Sequence, residues 1–464
     1  MDRQHLNVLV IMLDSQRPDV LGCARDGPDA LADDFAQIQT PHIDAVAASG
    51  TVFDRAYAEY PITVPSRTAL VSGCYTFTNR PWCPLRSYDF NVVEMLREHG
   101  YTTACWSDTP MNPGAALDRG FDLFEAITVG KCRRQDEEID VDLMGAAFPE
   151  SGGEAEVQFW TNTLRGRHVA RRDYGKTCPT LLFDKAIQWL ENGPQQPFFA
   201  WVDTFDPHEP WCPEPPYDTM YPRPEGGRYI PMPHGPSIDW MSDADMGAVR
   251  ALYMGDASRT DAEVGRLMQT LDDRGLTEHT LVLIISDHGE PFGEHGTIRK
   301  FGVPVYDELA RMVLLMKGPG VPEGERSSAL VQNVDLAPTL LEVLGLPAPE
   351  RQTLAGLPPM SGRDSLDGLS LVPLLERRAQ SVRDAAYIGG FGLRAGIVTE
   401  REKLIDNRGE RENELFHLAA DPREEHNLID DEGDRAEQLH RELWEFCSLW
   451  ARALSWRDRP AAGR

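Results

Sequence analysis

The chain has 464 residues, 41% hydrophobic and 26% charged, which is globular composition and too much chain for one ordinary core. Asp and Glu outnumber Lys and Arg by 74 to 46, for a formal charge of −28. A field of that sign repels nucleic acid and anionic membrane, so a bound polyanion has to be met by a local cluster of cations. No stretch approaches the roughly 20 apolar residues of a membrane span. The polar start Met1–Asn7 does not read as a signal peptide. Eight cysteines are scattered without a CxxC pair, which reads as reduced thiols in a cytoplasmic protein.

In chain order, Val8–Met12 is a buried strand by length and composition, and Asp14 follows it directly. Asp44–Gly50 and Val92–His99 read as helices running into glycine, with a strand at Thr102–Trp106. Segment 127–178 is irregular and rich in charge and glycine, and it carries Arg165, Arg167, Arg171 and Arg172. Apolar residues then fall at helical spacing over Leu182–Glu191, before a strand at Phe198–Asp203. Segment 212–245 is proline-rich and irregular; loops of this kind laid over a sheet edge often shape a binding site. A helix over Ala257–Asp272 leads to a strand at Leu281–Ile285, followed by Ser286-Asp287-His288-Gly289. This alternation, lasting to about residue 345, predicts a doubly wound, mostly parallel α/β sheet flanked by helices, with ligands at the carboxyl ends of the strands. Composition shifts after Leu375, so the chain divides into an α/β domain over 1–375 and an α+β subdomain over 376–464. The subdomain has short strands at Ala386–Phe391, Arg394–Thr399, Lys403–Asp406 and Glu414–Leu418. Its last helix, Asp434–Leu454, puts Leu439, Leu443, Phe446, Cys447, Trp450 and Leu454 on one face, for packing against the small sheet.

Chemistry concentrates at two strand ends and one helix start. Asp14, Asp287 and His288 emerge at carboxyl ends of buried strands and together offer one divalent cation oxygen and nitrogen ligands. Between them, Thr63-Val-Pro65-Ser66-Arg67 through Gly73 reads as a short helix, with Pro65 in the first turn and Gly73 as its C-terminal cap. Thr63, placed just before it, reads either as a plain N-cap or as a hydroxyl facing free backbone N–H groups that favour an anion. One turn on, Arg67 would direct its planar fork at the same place, toward a tetrahedral anion.

These segments resemble the sulfatase family of the alkaline phosphatase superfamily, and the resemblance runs almost end to end. It is carried by Asn7–Cys23, Thr40-Pro-His-Ile-Asp44 through Ala58, Thr63-Val-Pro65-Ser66-Arg67 and Gly120-Phe-Asp122. It continues through Asp206-Pro-His208-Glu-Pro210-Trp211, Asp287-His288-Gly289 to Lys300, then Tyr306, Glu308 and Arg311. Val334-Asp-Leu-Ala-Pro338-Thr339, Asp367–Leu375, and Glu414–Leu418 with Asp421-Pro422 and Asn427-Leu428 complete it. The resemblance implies Asp14, Asp287 and His288 as ligands of one divalent metal ion (Ca, Mn, Mg or Zn), with Thr63 as ligand and nucleophile. It implies Arg67 as holder of the nucleophile or substrate oxygens, His208 as leaving-group assistant and Lys300 as the anion's counter-charge. The substrate implied is a small anionic ester, with no nucleic acid or membrane partner; a homo-oligomer is left open.

Three departures qualify that expectation. Thr63 stands where cysteine or serine is the rule, so no formylglycine is expected, and a threonine ester suits phosphorus better than sulfur. Ser15 stands where a second Asp or Gln ligand is usual, which makes it a doubtful ligand. Trp106-Ser107-Asp108-Thr109 replaces the usual Gly-Lys-Trp-His element and, with His288, is more like phosphonate monoester hydrolases and related phosphodiesterases. The expectation is therefore hydrolysis of a phosphodiester or phosphonate monoester through a phosphothreonine. The rivals are a sulfuric ester hydrolase and a non-catalytic anion-binding relative.

Overall fold

The computed structural model describes residues 6–26, 35–78, 82–87, 89–127, 176–349, 366–390 and 394–457. The four arginines noted between 165 and 172 lie outside them. Strands and helices of about two turns or more alternate along the first part of the chain. They are β1 (Asn7–Leu13), α1 (Pro41–Ala48), β2 (Thr51–Tyr57), α2 (Thr63–Ser72), α3 (Val92–Glu98), β3 (Thr102–Ser107) and β4 (Leu123–Ala126). They continue as α4 (Cys178–Glu191), β5 (Phe198–Thr204), α5 (Asp243–Asp273), β6 (Thr280–Ser286), β7 (Leu314–Lys317), β8 (Glu325–Gln332) and α6 (Leu336–Val343).

The eight strands form one sheet in the order β4-β3-β5-β1-β6-β7-β2-β8, and only β7 runs antiparallel to its neighbours. Why β1 reads as an unbroken apolar run is visible in its two faces. Val8, Val10 and Met12 enter one core layer with Leu70 of α2, Val93 and Leu96 of α3, and Leu340 of α6. Leu9, Ile11 and Leu13 enter the other with Ile43 of α1, Phe183 of α4, and Val264 and Leu267 of α5. Helices on both faces and β1 at the middle of the sheet confirm the doubly wound expectation.

Four strands escaped the sequence reading: β2, β4, β7 and β8. They lie at or toward the sheet's edges, where water and partner side chains tolerate charge. Arg326 of β8 pairs with Asp54 of β2, and Arg55 of β2 donates to the carbonyls of Thr399 and Glu400. Helix α5 begins well before Ala257, at a capping box of Ser242 and Asp245. Buried Asp245 and Asp256 interrupt its apolar face and hid the first half. That half packs Val249, Leu252 and Tyr253 against Trp211, Tyr221 and Ile230, giving the proline-rich segment its own core. Helix α1 also starts earlier than expected, at Pro41.

A second, four-stranded antiparallel sheet, ordered β12-β11-β10-β9, is built from β9 (Ala385–Gly389), β10 (Ala395–Thr399), β11 (Glu402–Asp406) and β12 (Glu414–His417). Helix α7 (Gly433–Arg457) lays Leu439 and Leu443 on Ile397, Leu404 and Leu415. Phe446 stacks on Tyr387 at 3.7 Å between ring centroids and meets Tyr75 of the larger unit at 5.0 Å. The side chains of Trp450 and Leu454, expected on the same stripe, lie outside the described set. No helix among the described residues is long and apolar enough to cross a membrane.

Candidate active site

Strands β1 and β6 pair in parallel with Leu13 opposite Ser286, so the residues that follow, Asp14 and Asp287, leave the sheet side by side. With His288 they are fully buried, and one ligand atom from each lies within 4.8 Å of the others. The turn after β1 is shaped for this. Ser15 takes a left-handed φ of 60°, its N–H donates to Asp287 Oδ1 at 3.0 Å, and its hydroxyl donates to Asp14 Oδ1 at 3.1 Å. Tyr253 of α5 pins the turn by donating to the Ser15 carbonyl at 2.9 Å.

Helix α2 abuts the same place. Its Ser66 hydroxyl donates to the Asp287 carbonyl at 2.7 Å and accepts from Asn333 at 3.0 Å. Gly73, at φ 63°, closes the helix as the sequence predicts. Thr63 is the first residue of the helix rather than the residue before it. Ile62 occupies the cap position and no side chain caps the helix, so the plain N-cap reading of Thr63 fails. Its hydroxyl is buried and has no hydrogen-bond partner among the described residues.

Arg67 corrects a second expectation. Its guanidinium does not stand ready for a substrate anion. Nε and one terminal nitrogen grip Asp203 in a fork, at 3.0 and 2.8 Å, and the fork extends to Asp14 at 3.0 Å. The other terminal nitrogen holds Asp287 and reaches the Thr63 carbonyl at 3.4 Å. Thr109 and Asn112 donate to Asp203 at 2.9 and 2.7 Å and fix its orientation. The Trp106–Thr109 segment thus supports Asp203, and Asp108 accepts from the Phe205 N–H at the head of the next loop.

That loop delivers His208. Asp206 is anchored by Arg259 of α5, Trp211 donates to the Pro207 carbonyl at 2.8 Å, and Phe205 stacks on the His208 ring at 4.0 Å. His208 Nδ1 lies 2.5 Å from the Glu209 carbonyl, which places the ring proton on Nδ1. Nε2 is then an acceptor, and it takes a hydrogen bond from the Lys300 ammonium. Lys300 also reaches the Ser15 hydroxyl at 3.4 Å. The structure therefore brings Asp14, Ser15, Thr63, Arg67, His208, Asp287, His288 and Lys300 to one buried place at the carboxyl edge of the sheet.

Burial, and then the neighbouring Asp287, raises the Asp14 pKa well above the carboxylate range, against the pull of Arg67 and Lys300. For Asp287 burial acts upward too, but His288, Arg67 and the Ser15 N–H overcome it and hold the group ionised. Burial pushes His288 down to about 4 and His208 well below its ordinary value, so both rings are neutral near pH 7.

A divalent cation fits these residues. His288 Nδ1 is 2.7 Å from the Gly289 carbonyl, so Nδ1 donates and Nε2 carries a lone pair. That lone pair faces an oxygen of the ionised Asp287 at 3.5 Å, with an oxygen of Asp14 at 4.0 Å. Acceptors facing acceptors, with an orphaned Thr63 hydroxyl at the head of the helix that Ser66 ties to Asp287, are what a bound cation would resolve. Charge points the same way. Five carboxyl groups, Asp14, Asp203, Asp287, Glu209 and Glu290, are buried here with three cations, Arg67, Arg299 and Lys300; burial and this crowding raise the Asp14 and Glu290 pKa values, a cost that a divalent cation would relieve. The oxygen and imidazole donors suit Ca, Mg, Mn or Zn alike.

Several of these residues were not read from the sequence. Asp203 ends a buried apolar run just as Asp14 and Asp287 do, so the same signal was there to use. Glu209, paired to Arg299 at 3.0 Å, and Glu290, buried with Lys300 3.9 Å from one carboxylate oxygen, carry no such signal.

Comparison with known proteins agrees with the geometry. The family model described as Sulfatase matches residues 6–346, and one described as N-sulphoglucosamine sulphohydrolase, C-terminal, matches residues 293–448. An arylsulfatase of Clostridium perfringens is 26% identical over 92% of this chain and 90% of its own. An ulvan-active sulfatase of Formosa agariphila is 25% identical over 91% and 77%. Among solved structures, the phosphonate monoester hydrolase of Agrobacterium radiobacter superposes with a TM-score of 0.71 at 24% identity, covering 97% of this chain and 96% of that one. A protein solved with its substrate D-glucosamine-2-N,6-O-disulfate gives 0.68 at 21%, covering 97% and 98%. With most of its length matched by the family model, the chain belongs to the sulfatase family, a family of ester-bond hydrolases whose members generally hold a divalent metal ion.

Proposed function

We propose that the chain hydrolyses phosphodiesters or phosphonate monoesters by attack of the Thr63 hydroxyl on phosphorus. The observation that carries the reading is that hydroxyl: buried, partnerless, and at the head of a helix braced against the Asp14–Asp287–His288 cluster. A divalent cation held by those three residues, with Thr63 completing the set, would supply Lewis acidity that favours the threonine alkoxide.

The chain's own groups do the rest. Free N–H groups at the start of α2 favour the alkoxide and the developing charge on phosphorus. Arg67, gripped by Asp203, holds the carboxylates of Asp14 and Asp287 at fixed spacing. Lys300 neutralises the substrate oxygens. Thr63 gives up its proton to solvent before it attacks; as its Oγ bonds to phosphorus and the ester bond breaks, a Lys300 proton passes to the departing oxygen while His208 Nε2 holds the lysine nitrogen in place, and Lys300 regains a proton from the water that attacks next. Water then attacks phosphorus and releases Thr63.

Threonine itself supports phosphorus over sulfur, because it cannot become the formylglycine hydrate that expels sulfate by collapsing to an aldehyde. A second reading, sulfuric ester hydrolysis, is favoured by the sulfatase names of the Clostridium and Formosa relatives. The experiment is a panel of 4-nitrophenyl sulfate, 4-nitrophenyl phosphate, bis-4-nitrophenyl phosphate and 4-nitrophenyl phenylphosphonate, run on the parent and on Thr63→Ala. The diester and phosphonate should turn over fastest, with a loss on the order of 10⁴-fold in the variant. Sulfate turned over fastest would select the second reading, and a variant as fast as the parent would end both. The same proposal keeps the division at 375/376 and a cytoplasmic setting, the latter supported by free thiols at every described cysteine.

A further inference from the structure

The chain reverses sharply between the cluster and the protein's surface. Arg299 sits at φ 63° and Gly302 at φ 78°. A non-glycine residue in the left-handed region is uncommon and costs roughly 1 kcal/mol or more, so it persists where its surroundings enforce it. Here the enforcement is visible. Arg299 Nε donates to the fully buried Glu209 at 3.0 Å, and the Ile298 N–H is held by the Pro236 carbonyl at 2.8 Å. The consequence is a division of two adjacent side chains. Lys300, 3% exposed, turns inward to His208 and Ser15, while Phe301, 41% exposed, turns outward.

Phe301 is one of five large hydrophobic residues exposed among the described residues, and alone of the five it is adjacent in sequence to a residue of the site. Its ring centroid is 6.0 Å from the Lys300 ammonium and 5.8 Å from the Arg299 guanidinium carbon, so the ring keeps its place against two cations. Lys300 and His208 define the side of the cluster from which the leaving group departs. An exposed aromatic face one residue from the proton donor is therefore the surface that the body of a leaving group meets first. The proline-rich segment 212–245 frames the same turn: Ser237 bridges Thr297 and Ile238 donates to Gly296.

We propose that Phe301 is a specificity-determining residue, a stacking platform that selects esters whose leaving group carries a ring, either an aryl group or the apolar face of a pyranose. The proposal rests on the hydrolase reading above. An aryl pair contributes enough to change relative rates by about fivefold, and a sugar face presents C–H groups to the same ring.

The test compares two leaving groups in parent, Phe301→Ala and Phe301→Trp. The substrates are 4-nitrophenyl and 2,2,2-trifluoroethyl esters of the same phenylphosphonate acid, with the 4-nitrophenyl β-glucoside 6-phosphodiester as the sugar arm. In Phe301→Ala the ratio of kcat/KM for the ring-bearing over the ringless ester should fall about fivefold, through KM, and Phe301→Trp should restore it. A change confined to the aryl arm assigns the platform to aryl groups, and one confined to the glycoside arm to sugars. An unchanged ratio in both arms overturns the proposal. If the parent turns over no ester at all, the hydrolase reading fails separately and binding decides. Calorimetric titration with phenyl phosphate and methyl phosphate, which differ in the group on the ester oxygen, should show a preference for phenyl that Phe301→Ala abolishes. Equal binding of the two, or binding of neither, overturns the platform.

Discussion

Two buried charge clusters in this molecule use the same kinds of residue and end differently. At the seam between the two sheets, Lys403 of β11 is fully buried, with Asp307 and Glu424 each 2.8 Å from its ammonium. Tyr57 donates to Asp307, and the Asp307 N–H donates to Glu424. Burial lowers the Lys403 pKa, but the two carboxylates more than reverse it, so the lysine stays charged. The chain supplies both signs and the cluster closes on itself. At the carboxyl edge of the large sheet, Asp14, Asp287 and His288 also meet in the interior, yet there a lone pair faces carboxylates and a hydroxyl has no partner. A closed network is a structural joint. An open one, in an interior where unpartnered polar groups are costly, marks a place completed from outside.

The largest expected effects separate the two. Asp287→Ala should cost activity on the order of 10³-fold or more and abolish stoichiometric metal in elemental analysis, with the fold kept by Arg67 and Asp203. Lys403→Met should do the reverse. It removes the counter-charge of the buried Glu424 and the partly buried Asp307 and should lower unfolding stability by about 3–5 kcal/mol, read by urea titration, while metal content stays at the parent level. If Lys403→Met lost metal as Asp287→Ala does, the two clusters would be one coupled unit and the contrast would disappear.

Metal removal gives an intermediate effect. With chelator present the parent should melt earlier, and adding Mn²⁺ or Ca²⁺ to about 100 times its Kd should recover roughly 2.7 kcal/mol. The same addition should leave the melting of Asp287→Ala unmoved. Equal stabilisation of both proteins would locate the cation elsewhere, for which the half-exposed group Glu402, His417 and Glu432 offers the other set of ligand atoms among the described residues.

What the sequence made legible follows from how each element is held. Strands β1, β3, β5 and β6 are buried on both faces, so their apolar runs announced them, and the two that end in Asp14 and Asp287 announced the cluster as well. Strands β2 and β8 were silent because Asp54 and Arg326 satisfy each other across the sheet while Arg55 donates to the carbonyls of Thr399 and Glu400, pairings that exist only after folding. The orientation of Arg67 was hidden for a related reason. A guanidinium one turn from Thr63 suggests an anion clamp, but the nearest anions proved to be three carboxylates from three other strand ends. Glu209 and Arg299 stand 90 residues apart, and nothing local marks them as a pair.

The smallest effect tests the seam from its other side. His295, at φ 51°, stacks on Tyr306 at 3.7 Å, with Nδ1 2.8 Å from Glu308 and Nε2 2.9 Å from the Glu424 carbonyl. Burial alone would lower its pKa, but the hydrogen bond and charge of Glu308, with Glu424 behind it, raise it to about 9. Because the folded value lies above the ordinary value near 6.5, the stabilisation is fully present below pH 6.5 and is lost as pH rises through 9. Melting temperatures of the parent and of His295→Gln should therefore differ by about 2 °C at pH 6 and converge above pH 9. A gap that widened with pH would mean that the imidazole is held neutral, so that the seam, like the strand-end cluster, contains a group waiting for a partner.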